Sequence, residues 1–476
     1  MKVDIEKLQK IVGADNVTDS LADLYVYASD ASVHHAMPSA VVRPQNTEQI
    51  QQIMRYANKN KVPIIPRGAG SGTSGHAVPI DGGIVLDMKH MNKILEVRPD
   101  DMLVRVEPGV VDDDLNKVLQ EYGLFYPPAP ASSRIATIGG EIGANASGVR
   151  SVKYGATRDY VMGMKVVLAN GDLVNLGANT RVHSSGYQLE RLMVGSEGTL
   201  GIIVEATMRI YPLPKFRCLG VANFDNLEDA GQTISDIISS GAQPSMLELM
   251  DGIGIVAVNK ALNLGLPEVG AIILFEADGN VKPAVDFEIR KMKEICEKNN
   301  GKDIEMSYDA KERQRIFGGR KKLFASLSKY QDGIICTDLA DDMGVPNSKI
   351  ADTAKKIHEI AKKHHVIMAV YGHCGSGVIH TKIMLDAKKA SQWKDADKVI
   401  NELYDYVHSV GGVTSAEHGI GISKAPPWKK ARKDIIPMMR AIKKALDPNN
   451  ILNPHKIMDA PDDWVKATDL RYIVGK

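Results

Sequence analysis

The chain has 476 residues, 44% of them hydrophobic and 25% charged, with a formal net charge of +1. That length allows two or three domains with a substantial core, and the composition is that of a water-soluble globular protein. The balanced charge argues against nucleic acid as a main partner.

The N-terminus, Met1-Lys2-Val3-Asp4-Ile5-Glu6-Lys7, alternates charge and lacks an apolar core. Asn46-Thr47-Glu48-Gln49 reads as a helix start, with Ile50, Ile53, Met54 and Ala57 at i, i+3, i+4 and i+7. Short strands are expected at Val62–Ile65, Gly83–Met88 and Leu103–Val106, and a helix from Asp112 to Gly123 with Leu115, Val118 and Leu119 on one face. "MKVVLANGDLVNLG" reads as a hairpin about Asn170-Gly171. A β-rich run from Ile202 to Tyr211 stops at Pro212 and Pro214, which places a domain boundary near residue 214. Beyond it, Lys-rich helices are expected over Val281–Asn299, Lys349–His364 and Lys394–Val410, with strands at Ala271–Phe275 and Val366–Val370. Runs such as Ala271–Phe275 are too short to span a bilayer, so the expectation is a cytoplasmic protein without a transmembrane segment. Cys218, Cys296, Cys336 and Cys374 are widely spaced and form no iron–sulfur or disulfide framework.

"VPIIPRGAGSGTSGHAVP", Val62–Pro79, contains a literal G-x-G-x-x-G from Gly70 to Gly75. A Rossmann site needs a helix to open inside that motif, and here His76-Ala77-Val78-Pro79 and further glycines follow instead. What remains is a glycine-dense loop whose backbone N–H groups can form an anion nest; on the loop alone, a plain surface turn is an equal alternative.

"YGHCGSGVIH" carries His373 and His380, and "SAEHGIGISK" carries Glu417, His418 and Lys424. An i, i+7 pair falls on opposite faces of a straight strand, but a turn at Gly375-Ser376-Gly377 can bring both imidazoles to one point. With Glu417 they make a two-His, one-carboxylate set suited to a divalent ion; spacing alone leaves structural histidines as the alternative. Cys374 could offer a soft ligand, though a small buried residue is the plainer reading. Lys424 precedes "APPWKK", which suggests a surface loop.

Two more glycine-rich stretches accompany the first loop: "SSRIATIGGEIGANASGVRSVKYGATRDYV" from Ser132 and "VGSEGTLGII" from Val194. Together, in order and spacing over nearly the whole chain, these segments resemble the FAD-linked oxidases of the vanillyl-alcohol oxidase type, most like the glycolate oxidase D subunits and D-lactate dehydrogenases among them. The resemblance implies an α+β fold. A two-subdomain FAD-binding domain would occupy 1–214, an α+β substrate (cap) domain with a metal site 215–424, and a C-terminal segment, 425–476, would return to the FAD domain. It implies non-covalent FAD. Arg67, Gly68, Gly70, Ser71, Gly72, Thr73 and Ser74 would cradle the pyrophosphate, and Ser132, Gly140, Asn145, Gly148, Glu197, Gly198 and Ile203 would line the rest. Thr73 stands where some relatives carry a flavin-linking histidine, and His76 reads as a surface loop residue.

In the 2-hydroxy-acid dehydrogenases of this family, H-x-G-D-G-N-x-H supplies two metal ligands and the Glu of E-H-G-x-G a third. His373, His380 and Glu417 occupy those places, with Zn, Fe or Mn as the implied ion. The sequence departs at Ser376 and Val378, where the family has Asp and Asn. By the same resemblance His418 is the base for the C2 hydroxyl and Arg320 of "FGGRKKLF" grips the substrate carboxylate, with Lys321 and Lys322 on a solvated helix face. The expected activity is oxidation of a small 2-hydroxy acid, D-lactate or glycolate in type, with electrons leaving to an electron-transferring flavoprotein, an iron–sulfur subunit or a quinone reached through another chain. Membrane association through that partner stays open. Two alternatives stand beside it: a non-redox transferase like alkylglycerone-phosphate synthase, and an idle FAD-binding electron-relay subunit of a larger complex.

Overall fold

A computed structural model of the chain describes residues 3–462; Met1, Lys2 and the last part of the expected C-terminal segment, 463–476, lie outside the described residues. The chain forms two compact units. The first takes the chain up to Ser147, then Ala156–Leu213, and resumes at Glu417. The second takes Gly148–Gly155 and Pro214–Ala416.

Two sheets share one core in the first unit. In the four-stranded sheet, Ala40–Val42, Ile84–Asp87 and Ile64–Arg67 run parallel, with Val17–Thr18 antiparallel at one edge. Helix Thr47–Asn60 begins where Asn46 accepts the Gln49 N–H at 3.0 Å. Its buried stripe of Ile50, Ile53, Met54 and Ala57 packs with Val42, Ile64, Ile84 and Leu86. The five-stranded sheet is antiparallel, in the order Ile94–Arg98, Leu103–Val106, Ile202–Arg209, Val161–Val167, Leu173–Gly177. Val167, Ile202 and Val204 carry the same apolar cluster across to it. The last two of its strands are joined by the turn at Asn170-Gly171, where Gly171 has φ +85°.

The C-terminal stretch closes the first unit. Ile64 donates its N–H to the Ile451 carbonyl at 2.7 Å, and Asn453 donates to the Ile64 carbonyl at 2.8 Å, so Leu452 lies parallel beside the sheet edge. Lys443, in helix Ile436–Leu446, is buried and pins this stretch through Asp447, the Thr199 carbonyl and the Leu452 carbonyl.

The second unit is built on an eight-stranded antiparallel sheet. Its order is Lys302–Ser307, Phe216–Phe224, Ala271–Gly279, Met246–Asp251, Ile367–Gly372, Val378–Leu385, Ile335–Thr337, with Met343–Gly344 also paired to Val378–Leu385. Both faces are covered, which is why the central strands read as continuous apolar runs rather than alternating ones. Met246, Met250, Ile272, Leu274 and Ala369 pack on one face with Ile255 and Val258 of helix Gly252–Leu262 and with Leu323 and Leu327. The alternate positions, among them Leu247, Leu249, Ile273 and Val370, are buried on the other face under helices Leu227–Ser239, Lys282–Lys298 and Ile350–Lys363.

Three placements differ from the sequence reading. The first unit resumes at Glu417 rather than 425, so Glu417 and His418 belong to it. The reason is local: the Ser74 hydroxyl donates to the His418 and Gly419 carbonyls, and the Glu197 carboxylate accepts the N–H groups of Ile420 and Gly421 at 2.7 and 2.8 Å. Gly148 opens the short segment that belongs to the second unit, where Lys153 and Tyr154 bind Asp278 and the Ser151 and Ser376 hydroxyls meet at 2.7 Å. Lys424 is buried at the start of helix Ala425–Ala431, not on a surface loop; Pro426 and Pro427 sit in the first turn, where no N–H is missed.

Candidate active site

The glycine loop, the second stretch up to Ser147 and the stretch from Val194 meet inside the first unit. Strand Ile64–Arg67 delivers Gly68 against Thr137, close enough that any side chain at Gly68 would overlap the Thr137 hydroxyl. Thr137 caps helix Ile138–Ala144 by accepting the Gly140 N–H at 3.3 Å, which places Ser132 and Gly140 just before and within that helix start. Gly195 and Glu197 donate backbone N–H groups to the Ile142 and Gly143 carbonyls, both at 2.9 Å. Gly198, at φ +72°, lies on the Pro66 ring. Asn145, at φ +54°, ends the helix beside Gly195.

The loop itself has the polarity of an anion nest. Ala31 N–H is shared by the carbonyls of Gly70 and Gly72, at 3.1 and 3.0 Å, so these oxygens are turned to the protein. No backbone N–H from Gly68 to Gly75 has a hydrogen-bond partner among the described residues. Successive unpaired N–H groups around Ser71, Gly72 and Thr73, flanked by glycines, suit a pyrophosphate.

Several expected residues do other work. Arg67 is buried beneath the loop: it donates to the Ser29 carbonyl at 2.8 Å, lies over the Tyr27 ring and supports Gly70, and burial lowers its pKa. Ser74 is fully buried and Glu197 is committed to Ile420 and Gly421. Ile203 pairs with Val166 in the five-stranded sheet. His76 is not a surface residue; its Nε2 lies 3.5 Å from the Glu197 carboxylate and its ring borders Gly72. At the point where the chain re-enters this unit, Glu417 is buried and accepts the Ser147 hydroxyl at 2.6 Å, and its other oxygen lies 3.5 Å from His418 Nε2.

The second unit gathers the other group. His373 follows strand Ile367–Gly372 directly, and the chain turns through Cys374–Ser376 into strand Val378–Leu385. The turn requires glycine: Gly372 has φ +156° and Gly377 φ +78°, and a side chain at either would overlap a carbonyl, of Val378 and Val345 respectively. The result is an edge-to-face pair of imidazoles, His373 and His380, with centroids 5.2 Å apart. Each ring has its own carboxylate. His373 Nδ1 lies 2.7 Å from Glu248, and His380 Nδ1 lies 3.2 Å from Asp341. Each carboxylate in turn meets a buried cation, Arg320 for Glu248 at 2.7 Å and Lys382 for Asp341 at 2.6 Å. Asp342, also buried, offers an oxygen within 4.8 Å of a His380 nitrogen. Burial raises the Cys374 thiol pKa, so Cys374 stays a protonated packing residue rather than a thiolate ligand. Arg320 is buried in helix Ala310–Lys321, while Lys321 and Lys322 face solvent.

Glu248, Asp341 and Asp342 were missed by the sequence reading. Glu248 had a signal: an acid inside Met246-Leu247-Glu248-Leu249-Met250 has to be buried, and a buried charge has to be paired. Nothing local marks Asp341 or Asp342.

The family model of the FAD linked oxidases, C-terminal domain, matches residues 213–457, more than half of the chain. The chain belongs to the FAD-linked oxidases. The FAD binding domain model matches residues 38–177 of this FAD-linked oxidase, the stretch that holds the glycine loop. The glycolate oxidase subunit GlcD of Bacillus subtilis (strain 168) is 37% identical, the alignment covering 95% of this chain and 96% of that one. A D-lactate dehydrogenase of Archaeoglobus fulgidus is 32% identical, with 95% and 99% covered. The 4-ethylphenol oxidase from Gulosibacter chungangensis superposes with a TM-score of 0.76 over 96% of this chain and 97% of that one, at 18% identity, a likeness of fold. The fold is that of the vanillyl-alcohol oxidase type flavoproteins, and the unpaired N–H groups of the glycine loop fit the FAD that such domains hold. Among the described residues of this FAD-linked oxidase, no helix is long and apolar enough to cross a membrane.

Proposed function

We propose that this FAD-linked oxidase is a dehydrogenase that converts a small 2-hydroxy acid, D-lactate or glycolate in type, to the 2-oxo acid. The observation that carries the reading is the imidazole pair His373–His380, 5.2 Å apart, with each Nδ1 held by a carboxylate. That arrangement directs both Nε2 lone pairs away from their carboxylates, as metal-binding imidazoles require. The names of the relatives support the substrate class.

FAD, when bound, supplies the two-electron acceptor for the hydrogen at C2. The non-covalent cofactor would be held through the 68–75 N–H groups, with Thr73 leaving no histidine for attachment at that position. His373 and His380 would supply two ligands to a divalent ion (Zn, Fe or Mn), whose part is to lower the pKa of the substrate hydroxyl. Arg320 holds the substrate carboxylate; its Nε has no hydrogen-bond partner among the described residues, and a guanidinium can offer two parallel donors. His418 takes the hydroxyl proton, and Glu417, 3.5 Å from its Nε2, offsets the charge that the ring gains.

The electrons then leave through a partner. Relatives named as glycolate oxidase subunits favour a place in a complex; the acceptor proposed for it is an electron-transferring flavoprotein or an iron–sulfur subunit. The four cysteines are free thiols, and burial lifts Cys218 to about 11 and Cys296 and Cys336 to about 12, so they are poor cluster ligands.

The test is anaerobic loss of oxidised-flavin absorbance in the purified protein offered D-lactate, L-lactate, glycolate and 2-hydroxyglutarate in turn, beside metal analysis. Bleaching by one acid, slowed by about 10²–10⁴-fold in His418→Ala with FAD content unchanged, is the expected result. A yellow protein that none of the acids reduces would overturn the reading.

A further inference from the structure

Glu248 has a position that packing does not explain. Its strand, Met246–Asp251, points Met246 and Met250 into the apolar cluster with Ile255, Val258 and Leu323, and alternation points Glu248 to that same face. It is 1% exposed. A carboxylate there costs several kcal/mol to desolvate, and an apolar residue of similar size would serve packing as well or better. The residue is instead shared between two side chains of different duty. His373 Nδ1 meets Oε1 at 2.7 Å, and Arg320 Nη2 meets Oε2 at 2.7 Å.

An ionised carboxylate can only accept hydrogen bonds. Nδ1 of His373 must therefore carry its proton, and Nε2 is left with the lone pair. Arg320 is gripped from a second side as well, its guanidinium carbon 4.9 Å from the Tyr371 ring centroid. The register keeps these groups together: Leu249 stands opposite Gly372 and Tyr371 opposite His380, so Glu248, Tyr371, His373 and His380 line one face of three adjacent strands.

We infer that Glu248 is a positioning residue for the reaction: one carboxylate fixes the tautomer of the metal-ligating His373 and the orientation of the carboxylate-gripping Arg320. This rests on the function proposed above. Glu248 couples the two binding elements, because moving its carboxylate releases both at once. Asp341 repeats half of the arrangement for His380, with Lys382 as its cation.

The experiment compares wild type with Glu248→Gln and Glu248→Asp in the full-length, FAD-loaded protein. Gln is near-isosteric but offers one acceptor and one donor, so it can satisfy only one of the two partners. Histidine-selective ¹⁵N labelling, with the His373 signal identified by its absence in His373→Gln, reads the tautomer directly. Zn²⁺ affinity is read by competition with a chelating dye, and steady-state kinetics separates KM from kcat. The expected wild-type state is the Nδ1–H tautomer. In Glu248→Gln the Nε2–H form appears, Zn²⁺ affinity falls about 10–100-fold, and KM rises more than kcat falls. Glu248→Asp, which keeps the charge but shortens the reach, should be intermediate, and it carries the test if the Gln variant does not fold. A wild-type His373 protonated at Nε2, or a folded Glu248→Gln with tautomer, Zn²⁺ affinity and KM unchanged, would overturn the inference. The tautomer measurement needs no substrate. A Glu248-dependent tautomer in a protein that no hydroxy acid reduces would sink the dehydrogenase reading and leave the positioning of His373 standing.

Discussion

Ser74 and Ile422 are joined by a 2.7 Å backbone hydrogen bond, the Ile422 N–H donating to the Ser74 carbonyl. The end of the glycine loop is thereby tied to the stretch that follows Glu417 and His418. Gly421, at φ +52°, passes so close to the Ser74 carbonyl that any side chain would overlap it. Gly421→Ala combines that overlap with about 1–2 kcal/mol of left-handed backbone strain. The expected outcome is a folded protein that purifies with a reduced FAD-to-protein ratio, measured by releasing and quantifying the flavin. Full FAD retention would show that the loop holds its shape without this contact.

Gly70 tests the loop from within. It adopts φ +70° against the Arg67 guanidinium. Gly70→Ala is expected to weaken FAD binding while leaving the second unit's imidazole pair untouched. Zn²⁺ titration of the apoprotein separates the two effects.

Arg320→Lys keeps the charge and removes the fork. Losing one charge-assisted hydrogen bond to the substrate carboxylate costs about 1.5–3 kcal/mol, so KM for the hydroxy acid should rise roughly 10–100-fold with a smaller change in kcat. An unchanged KM would mean that Arg320 serves only its pair with Glu248.

His34 gives a pH dependence with a definite sign. It is buried, its Nε2 is 2.9 Å from the Ser423 hydroxyl, and burial, reinforced by Lys456 and opposed by Asp30, lowers its pKa to about 4. Unfolded, the ring titrates near 6.5. The unfolded state therefore binds more protons between these values, and stability falls as pH drops from 6.5 through 4. The loss is about 3 kcal/mol once both forms are protonated. His34→Gln should flatten the acid side of the stability curve, read by denaturant titration across that range.

Glu141 acts in the opposite direction. Burial first, and then the neighbouring Asp112 carboxylate, hold its carboxyl well above the ordinary value of 4.5. The folded state keeps a proton that the unfolded chain loses, so this stability is present below 4.5 and is lost as pH rises through the folded value. Glu141→Gln mimics the protonated form. Its Tm should exceed that of wild type at neutral and alkaline pH, with the gap closing toward pH 4.5. A gap independent of pH would show that Glu141 is not the titrating group.

Local features of the fold were legible where short-range rules decide. The Asn46 cap and apolar stripe of Thr47–Asn60, the Asn170-Gly171 hairpin and the turn between His373 and His380 are each set by residues close in the chain. The Rossmann reading of Gly70–Gly75 fails for a local reason as well: no helix opens there, and the chain runs on to strand Ile84–Asp87. The strands at Met246–Asp251 and Phe216–Phe224 were not legible, because both of their faces are buried and no alternation marks them.

The sequence by itself determined the glycine conformations, the imidazole-bearing turn and the order of segments that marks the FAD-linked oxidases. Tertiary structure alone decided which charge meets which. Glu248 and His373 are 125 positions apart, and Asp341 and His380 are 39 apart. No local propensity couples such pairs; strand register brings them together, and the cost of an unpaired charge in an apolar interior then selects the partners.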